Sequence, residues 1–260
     1  MMLKYSHRIK RGDDMKYINL SSFKEFNDFW ILEYEDIVIG FSNANNNRSF
    51  NRNIEEGIKN LKCLKEEFNV ETVNYLKQVH SNKDFIYNND NKDFNKNEGD
   101  GIVTSKKNSI IGVFTADCTP VILIDIKEKI VAVVHSGWKG TYTSIVKEAV
   151  DIMRRDFKCE AKNIKAFIGP HIRQCCYEVS EELKDKFINK FNNIDKDILF
   201  KGRNLSMELC IEQDLLQCDI SDENILSLSL CTHCEDKEKL FSYRGSNGDY
   251  GRLFSLAFIK

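Results

Sequence analysis

The chain has 260 residues, 42% of them hydrophobic and 30% charged, enough to bury one large core without disulfide staples. Its 38 Lys and Arg nearly cancel its 40 Asp and Glu, which argues against a global field that recruits nucleic acid or an anionic membrane. No run approaches the roughly 18 apolar residues of a membrane span. The nine cysteines, an odd number in no regular framework, and the lack of a secretory leader pattern point to a reducing cytoplasm.

Residues 1–14 are polar and basic, and are expected to be a disordered tail or the product of a misplaced start, ahead of one domain over 15–260. Met15 to Ile18 begins a strand. Ile37 to Ser42 reads as a strand, Asn43 to Asn53 as a loop, and Glu55 to Phe68 as a helix whose Ile58, Leu61, Leu64 and Phe68 share one stripe. Val73 to His80 is the next expected strand, and Asn88 to Asp100, rich in Asn, Asp and Lys, a surface excursion. Three apolar, β-branched runs follow: Ser109 to Ala116, Val121 to Asp125 and Ile130 to His135, the last two joined by the turn Ile126 to Lys129. They are expected to be strands of one sheet, so apolar along their length that helices or a second sheet must cover both faces. Gly140 to Phe157 supplies one covering helix, with Ile145, Ala149, Ile152 and Met153 on its stripe. Its amino-terminal amides, helped by Lys139, would suit a phosphate. Beyond it lie a strand at Ala166 to Ile168, helices at Ser180 to Phe191 and Ser206 to Cys218, and strands at Ile225 to Leu230 and Leu253 to Ile259. No repeat or linker interrupts this order, which fits a single mixed α/β domain with helices packed on sheet layers.

His80, Cys118 and His135 each end an apolar run, where a sheet could gather them into one site. Imidazole and thiolate are ligands zinc prefers, and three protein ligands leave a fourth position open, as catalytic zinc sites do. The same residues also permit a metal-free nucleophile, Cys118 activated by His135, or plain packing in buried strands. Asp117 is either a proton-transfer or orienting group or a satisfied turn carboxylate before Pro120.

The words Lys77-Gln78-Val79-His80-Ser81, Gly99-Asp100-Gly101, Thr115-Ala116-Asp117-Cys118-Thr119-Pro120-Val121, His135-Ser136-Gly137-Trp138-Lys139-Gly140 and Phe241-Ser242-Tyr243-Arg244 together resemble the YfiH-like family. This family is also called the laccase-domain or polyphenol-oxidoreductase family and is associated with purine nucleoside phosphorolysis. Gly169-Pro170, Cys175-Cys176-Tyr177-Glu178-Val179, Leu230-Cys231-Thr232 and Gly251-Arg252-Leu253-Phe254 extend the match, which runs from about Phe41 to Phe258 in the family's order. The resemblance implies a single α/β domain with zinc held by His80, Cys118 and His135, acting on purine nucleosides with phosphate. Implied reactions are phosphorolysis of adenosine, inosine and methylthioadenosine, and deamination of adenosine.

Asp117, Cys118 and His135 become the catalytic candidates, and Ser42, Asn51, Lys139 and Arg244 the substrate-binding ones. Ser42 and Asn51 match a Phe-Ser and a Ser-Leu-Asn of the family, read here as Phe41-Ser42 and Ser49-Phe50-Asn51, although the following Gly is absent. Arg48 and Arg52 flank that loop, with a surface position as their default. The family more often has Arg where Lys139 and Gly245 stand, which weakens bidentate phosphate contact at both.

Cys231-Thr232-His233-Cys234 resembles half a zinc ribbon, but adjacent Cys175-Cys176 lacks the two-residue gap of a metal knuckle, so packing near the site is the expectation for these four. His171, after Gly169-Pro170, could line the pocket or lie in a solvated loop. A four-copper oxidase binds its metals mainly through about ten histidines. Five histidines exclude that mechanism here, though copper could occupy the His, Cys, His site in place of zinc. The rival readings are a metal-independent Cys-His hydrolase or amidase, for example of cell-wall precursors, a copper-dependent phenol oxidase, and a non-catalytic binding protein. Monomer and homodimer are equally compatible with the sequence.

Overall fold

A computed structural model describes residues 16–88, 94–246 and 250–260; the expected tail over 1–14 and part of the 88–100 excursion lie outside the described residues. The chain opens with β1 (Lys16–Tyr17), β2 (Lys24–Phe26), β3 (Phe29–Tyr34) and β4 (Ile37–Ser42), followed by α1 (Glu55–Glu67), β5 (Thr72–Asn74), β6 (Asp84–Ile86) and β7 (Gly101–Thr104). Its centre is β8 (Ser109–Thr115), β9 (Thr119–Asp125), β10 (Ile130–Ser136), α2 (Trp138–Tyr142), α3 (Ile145–Phe157) and β11 (Ile164–Ile168). The remainder is α4 (Glu181–Lys190), α5 (Lys196–Leu199), β12 (Phe200–Lys201), β13 (Asn204–Leu205), α6 (Met207–Gln217), β14 (Ile225–Ser227) and β15 (Leu253–Ile259).

Two mixed sheets form, in the orders β2-β3-β4-β15-β8-β5 and β1-β14-β11-β9-β10-β7-β6, beside the short β12-β13 pair. The period of two along each strand sorts its side chains between layers. On β9, Ile122 and Ile124 join Phe41, Ile111, Val113 and Ala257 of the other sheet in the core between the sheets. Val121 and Leu123 of the same strand instead pack with Ile145, Ala149 and Met153 of α3 and with Ile211 and Leu215 of α6. On the far side, Leu61 and Leu64 of α1 pack with Ile110, Phe254, Leu256 and Phe258. The layers are therefore helix, sheet, sheet, helix, and both central sheets are covered on their two faces, as their apolar runs require. None of the described helices is long and apolar enough to cross a membrane.

Five expectations change. The three central runs do not share a sheet: β8 pairs with β15 and β5, while β9 and β10 pair with each other in the second sheet. Buried strands of two stacked sheets carry the same apolar signal as neighbours in one. The strand expected over Val73 to His80 stops at Asn74, and His80 sits in a bend with φ of 57°. The helix expected from Gly140 is two helices, broken at Ser144, which adopts left-handed φ of 61° and ψ of 46°. The run Ile225 to Leu230 is strand only to Ser227. On α1, Ile58 of the expected stripe is exposed, whereas Leu61 and Leu64 are buried.

Candidate active site

Because β8 and β9 belong to different sheets, residues 116–118 between them carry the chain from one sheet to the other. Asp117 turns this corner with φ of 92°, and Cys118 follows at the rim of the inter-sheet core. His135 lies near the end of β10, directly opposite Pro120 of β9. It has the strand parity of Val131 and Val133, so it continues the face turned toward the other sheet. His80 arrives from the bend after β5. The ligand atoms of His80, Cys118 and His135 all lie within 4.8 Å of one another. Cys118 Sγ is 3.7 Å from His80 Nε2. That separation is close to the ~3.6 Å edge of a tetrahedral zinc site with Zn–S of about 2.3 Å and Zn–N of about 2.05 Å.

Asp100 organises this cluster, and the expectation of a surface excursion through it is wrong: it is fully buried. Its Oδ1 pairs with His135 Nδ1 at 2.8 Å and accepts the His80 backbone N–H at 3.0 Å. Its Oδ2 accepts the Ser81 N–H at 2.6 Å and the Ser81 hydroxyl at 2.7 Å. One carboxylate thus orients one imidazole and holds the bend that presents the other, leaving His135 Nε2 for an ion. Burial raises the Asp100 carboxyl, but its bonds to His135 and Ser81 outweigh that and hold it below the ordinary range. Gly137 leaves room for the cluster, since a Cβ there would sit 2.8 Å from His80 Cδ2 and 3.1 Å from Cys118 Sγ.

Without an ion, burial alone would push the Cys118 thiol up and His135 down. Their mutual attraction wins, helped at Cys118 by His80 and at His135 by Asp100, and brings Cys118 down to about 6 and His135 up to about 9. At neutral pH and without an ion the pair is a thiolate facing an imidazolium, and a soft or borderline cation would bind these donors by displacing the imidazolium proton.

The cluster forms the floor of a cavity of about 520 Å³, also lined by Asn51, Arg52, Gln78, Asp117, Trp138, Tyr177, Tyr243, Arg244, Tyr250 and Arg252 among others. Gln78 locks the wall: its Oε1 accepts the Phe114 N–H at 2.7 Å and its Nε2 donates to the Phe114 carbonyl at 2.8 Å. Asp117 accepts the Thr232 hydroxyl at 2.6 Å and the Arg244 backbone N–H at 2.7 Å, so both oxygens are engaged in holding loops around the cavity.

Asn51 and Arg244 thus line the cavity with Asp117, Cys118, His80 and His135. Ser42 and Lys139 do not: Ser42 is buried and accepts the Phe254 N–H through its hydroxyl at 2.8 Å, while Lys139 is exposed with its ammonium 5.5 Å from the Trp138 ring. Ser42 belongs to β4, whose pairing with β15 absorbs its hydroxyl; the helix break at Ser144 leaves Lys139 on a separate short turn. Arg48 pairs with Glu67 at 2.8 Å, whereas Arg52 reaches the cavity. His171 is buried with Nδ1 2.9 Å from the Gly169 carbonyl, neither solvated nor in the cavity lining. Sequence reasoning assigned no role to Asp100, Gln78, Tyr243, Tyr250 or Arg252. Gln78, Asp100, Tyr243 and Arg252 lie within the family words Lys77-Gln78-Val79-His80-Ser81, Gly99-Asp100-Gly101, Phe241-Ser242-Tyr243-Arg244 and Gly251-Arg252-Leu253-Phe254, their only local signal, whereas Tyr250 lies outside them all.

A two-sheet α/β fold whose inter-sheet corner carries two histidines and a cysteine on the floor of an arginine- and tyrosine-lined cavity defines a small class of proteins. The chain belongs to the family described as multi-copper polyphenol oxidoreductase laccase, the YfiH-like proteins, whose model matches residues 38–260. It is 41% identical over 248 residues, 95% of this chain and 100% of the relative, to a purine nucleoside phosphorylase of Clostridium acetobutylicum. It is 33% identical over 166 residues, 62% of each chain, to adenosine deaminase RL5 from an unknown prokaryotic organism. A solved structure, hypothetical protein YfiH of Bacillus licheniformis, shares the fold with a TM-score of 0.83 at 24% identity, over 92% of this chain and 99% of its own.

Proposed function

We propose that this protein is a purine nucleoside phosphorylase with adenosine deaminase activity, working around a zinc ion held by His80, Cys118 and His135. The observation that carries the proposal is the convergence of these three donors on the floor of a cavity whose other charged lining is mainly Arg52, Arg244 and Arg252. The relatives named for the two activities support it. Two imidazoles and one thiolate suit zinc with an open position, and the ion would supply a Lewis acid that polarises an oxygen or lowers the pKa of a water. Copper could bind the same donors. Of the five histidines in the chain, only His80 and His135 among the described ones line the cavity, far short of a four-copper set.

In phosphorolysis a phosphate oxygen bonds to the anomeric ribose carbon as the bond to the base breaks, and the base leaves with the electron pair and gains a proton. The arginines bind and orient the phosphate, a dianion that needs forked cationic donors. Arg252 is positioned by its hydrogen bond to the Tyr250 hydroxyl at 2.8 Å, and Arg244 by Asp117 and the Glu178 carbonyl. Tyr177, Tyr243 and Tyr250 line the cavity as aromatic partners for a purine, with Arg244 5.7 Å over the Tyr177 ring and Arg252 4.1 Å over the Tyr250 ring. Asp117, accepting from the Thr232 hydroxyl and the Arg244 backbone N–H, positions the loops of the cavity wall. Nine free cysteines support a cytoplasmic location.

Zinc-loaded enzyme given inosine and phosphate should release hypoxanthine and ribose 1-phosphate, and given adenosine should form inosine; chromatography showing neither would reject the proposal. A second reading has one specific observation in its favour, the low pKa of Cys118 beside a His135 backed by Asp100, which suits a thiolate nucleophile of an amidase. Removing the metal decides: turnover that survives chelation and stops on alkylation of Cys118 would favour the nucleophile.

A further inference from the structure

Four cysteines apart from the His80, Cys118 and His135 cluster come together, although the sequence carried only half of a zinc-ribbon spacing. Cys175 and Cys176 sit in the turn after β11, and Cys231 and Cys234 in the turn after β14; the four sulfurs all lie within 4.8 Å of one another. Packing near the site, the expectation for adjacent cysteines, does not describe them, because Cys175 and Cys234 are exposed and only Cys231 is buried. The two-residue gap is present on one side, Cys231-Thr232-His233-Cys234. On the other side the chain doubles back, with the Cys176 and Tyr177 N–H groups both donating to the Arg173 carbonyl at 2.9 Å, and two consecutive sulfurs reach the same point.

We propose that Cys175, Cys176, Cys231 and Cys234 form a second, structural zinc site of four thiolates. Tetrahedral zinc with Zn–S of about 2.3 Å sets its sulfurs about 3.8 Å apart. The Cys175 and Cys234 sulfurs stand 3.5 Å apart, near that edge and well beyond the ~2.05 Å of a disulfide. The backbone N–H of Arg173 points at the Cys231 sulfur at 3.5 Å, the kind of amide contact that steadies a metal thiolate. Four protein ligands close the coordination sphere, so the ion is a staple and not a reaction centre.

Its position gives the staple a consequence for the cavity. Thr232, between two of the ligands, donates to Asp117, and Tyr177, next to Cys176, lines the cavity. The loop containing Cys231 also pairs with the strand end at His171, where the Thr232 N–H donates to the His171 carbonyl at 3.0 Å. An ion joining the two turns therefore fixes the part of the cavity wall that carries Tyr177 and braces Asp117.

The test counts zinc in protein made in zinc-supplemented medium and purified with reductant and without chelator. Wild type should hold two zinc ions per chain, Cys234→Ser one, and His80→Ala one. A single zinc in wild type that Cys234→Ser retains would overturn the proposal. Should Cys234→Ser fail to fold, cobalt in place of zinc in His80→Ala gives the answer: intense sulfur-to-cobalt absorption from four thiolates is expected, and its absence overturns the site. The zinc count and the cobalt spectrum of His80→Ala are read without the His80, Cys118, His135 cluster, so they do not depend on whether nucleosides are the substrate.

Discussion

At the scale of single residues, Asp100 carries more of the site than any metal donor, since it joins His135, the His80 backbone and Ser81 through two oxygens. Asp100→Asn keeps the volume but replaces one acceptor oxygen by a donor, so one of these bonds must fail. Metal affinity, measured by competition with a chromophoric chelator, should fall roughly 10–100-fold, the usual effect of losing the partner of a ligand histidine. Protons compete with the ion at the same donors. In metal-free protein Cys118 ionises at about 6, so its alkylation by iodoacetamide should stay fast from neutral pH down to that point and slow below it, as the thiolate is protonated. A bound ion should protect it, and metal should be released as acid protonates sulfur and imidazole. Mass spectrometry of the modified peptide across pH reads both effects. A rate that rises steeply only near pH 9 would show an ordinary thiol and remove the assumed influence of the histidines.

The elements matter through where they stop. β8 ends at Thr115 and β9 begins at Thr119 in the other sheet, so the connection must cross between layers and brings Cys118 to the rim of the core. Gly137 separates the end of β10 from α2 with ordinary backbone angles, φ of −73° and ψ of 174°, so the need for glycine is spatial and not conformational. Gly137→Ala would push a methyl against His80 and Cys118. It should weaken metal binding and turnover together while shifting the urea midpoint of chelator-stripped protein little, because no core contact is lost; a large loss of stability in stripped protein with normal metal binding would show that the crowding is relieved elsewhere. His80, Cys118 and their apolar runs were legible as candidates because each word is distinctive. The sheet assignment was not, since β8 and β9 are equally apolar and periodicity does not say which partner a buried strand takes.

For the molecule as a whole, the proposed ions tie together segments far apart in the chain: His80, Cys118 and His135 at one site, and Cys175, Cys176, Cys231 and Cys234 at the other. A ligand that binds only the folded form stabilises it by RT ln(1 + [L]/Kd), about 2.7 kcal/mol at a hundredfold excess over Kd. Stripping the protein with chelator should therefore lower its thermal midpoint by several degrees, and adding zinc should restore it; calorimetry showing no shift would mean that neither site holds metal tightly.

The amino-acid sequence by itself determined the mixed α/β character, the apolar strands from Ser109 to Ser136, the helices after Ser180 and Ser206, and the candidacy of His80, Cys118 and His135 for a shared site. These rest on local chemistry: side-chain periodicity, caps and ligand types all act over a few residues. Only the tertiary structure decided that β8 and β9 lie in different sheets, that Asp100 is buried behind His135, that Ser42 and Lys139 are outside the cavity, and that four scattered cysteines meet. Each of those depends on which distant segments pack against one another, and a burial pattern records that a residue is covered without recording by what.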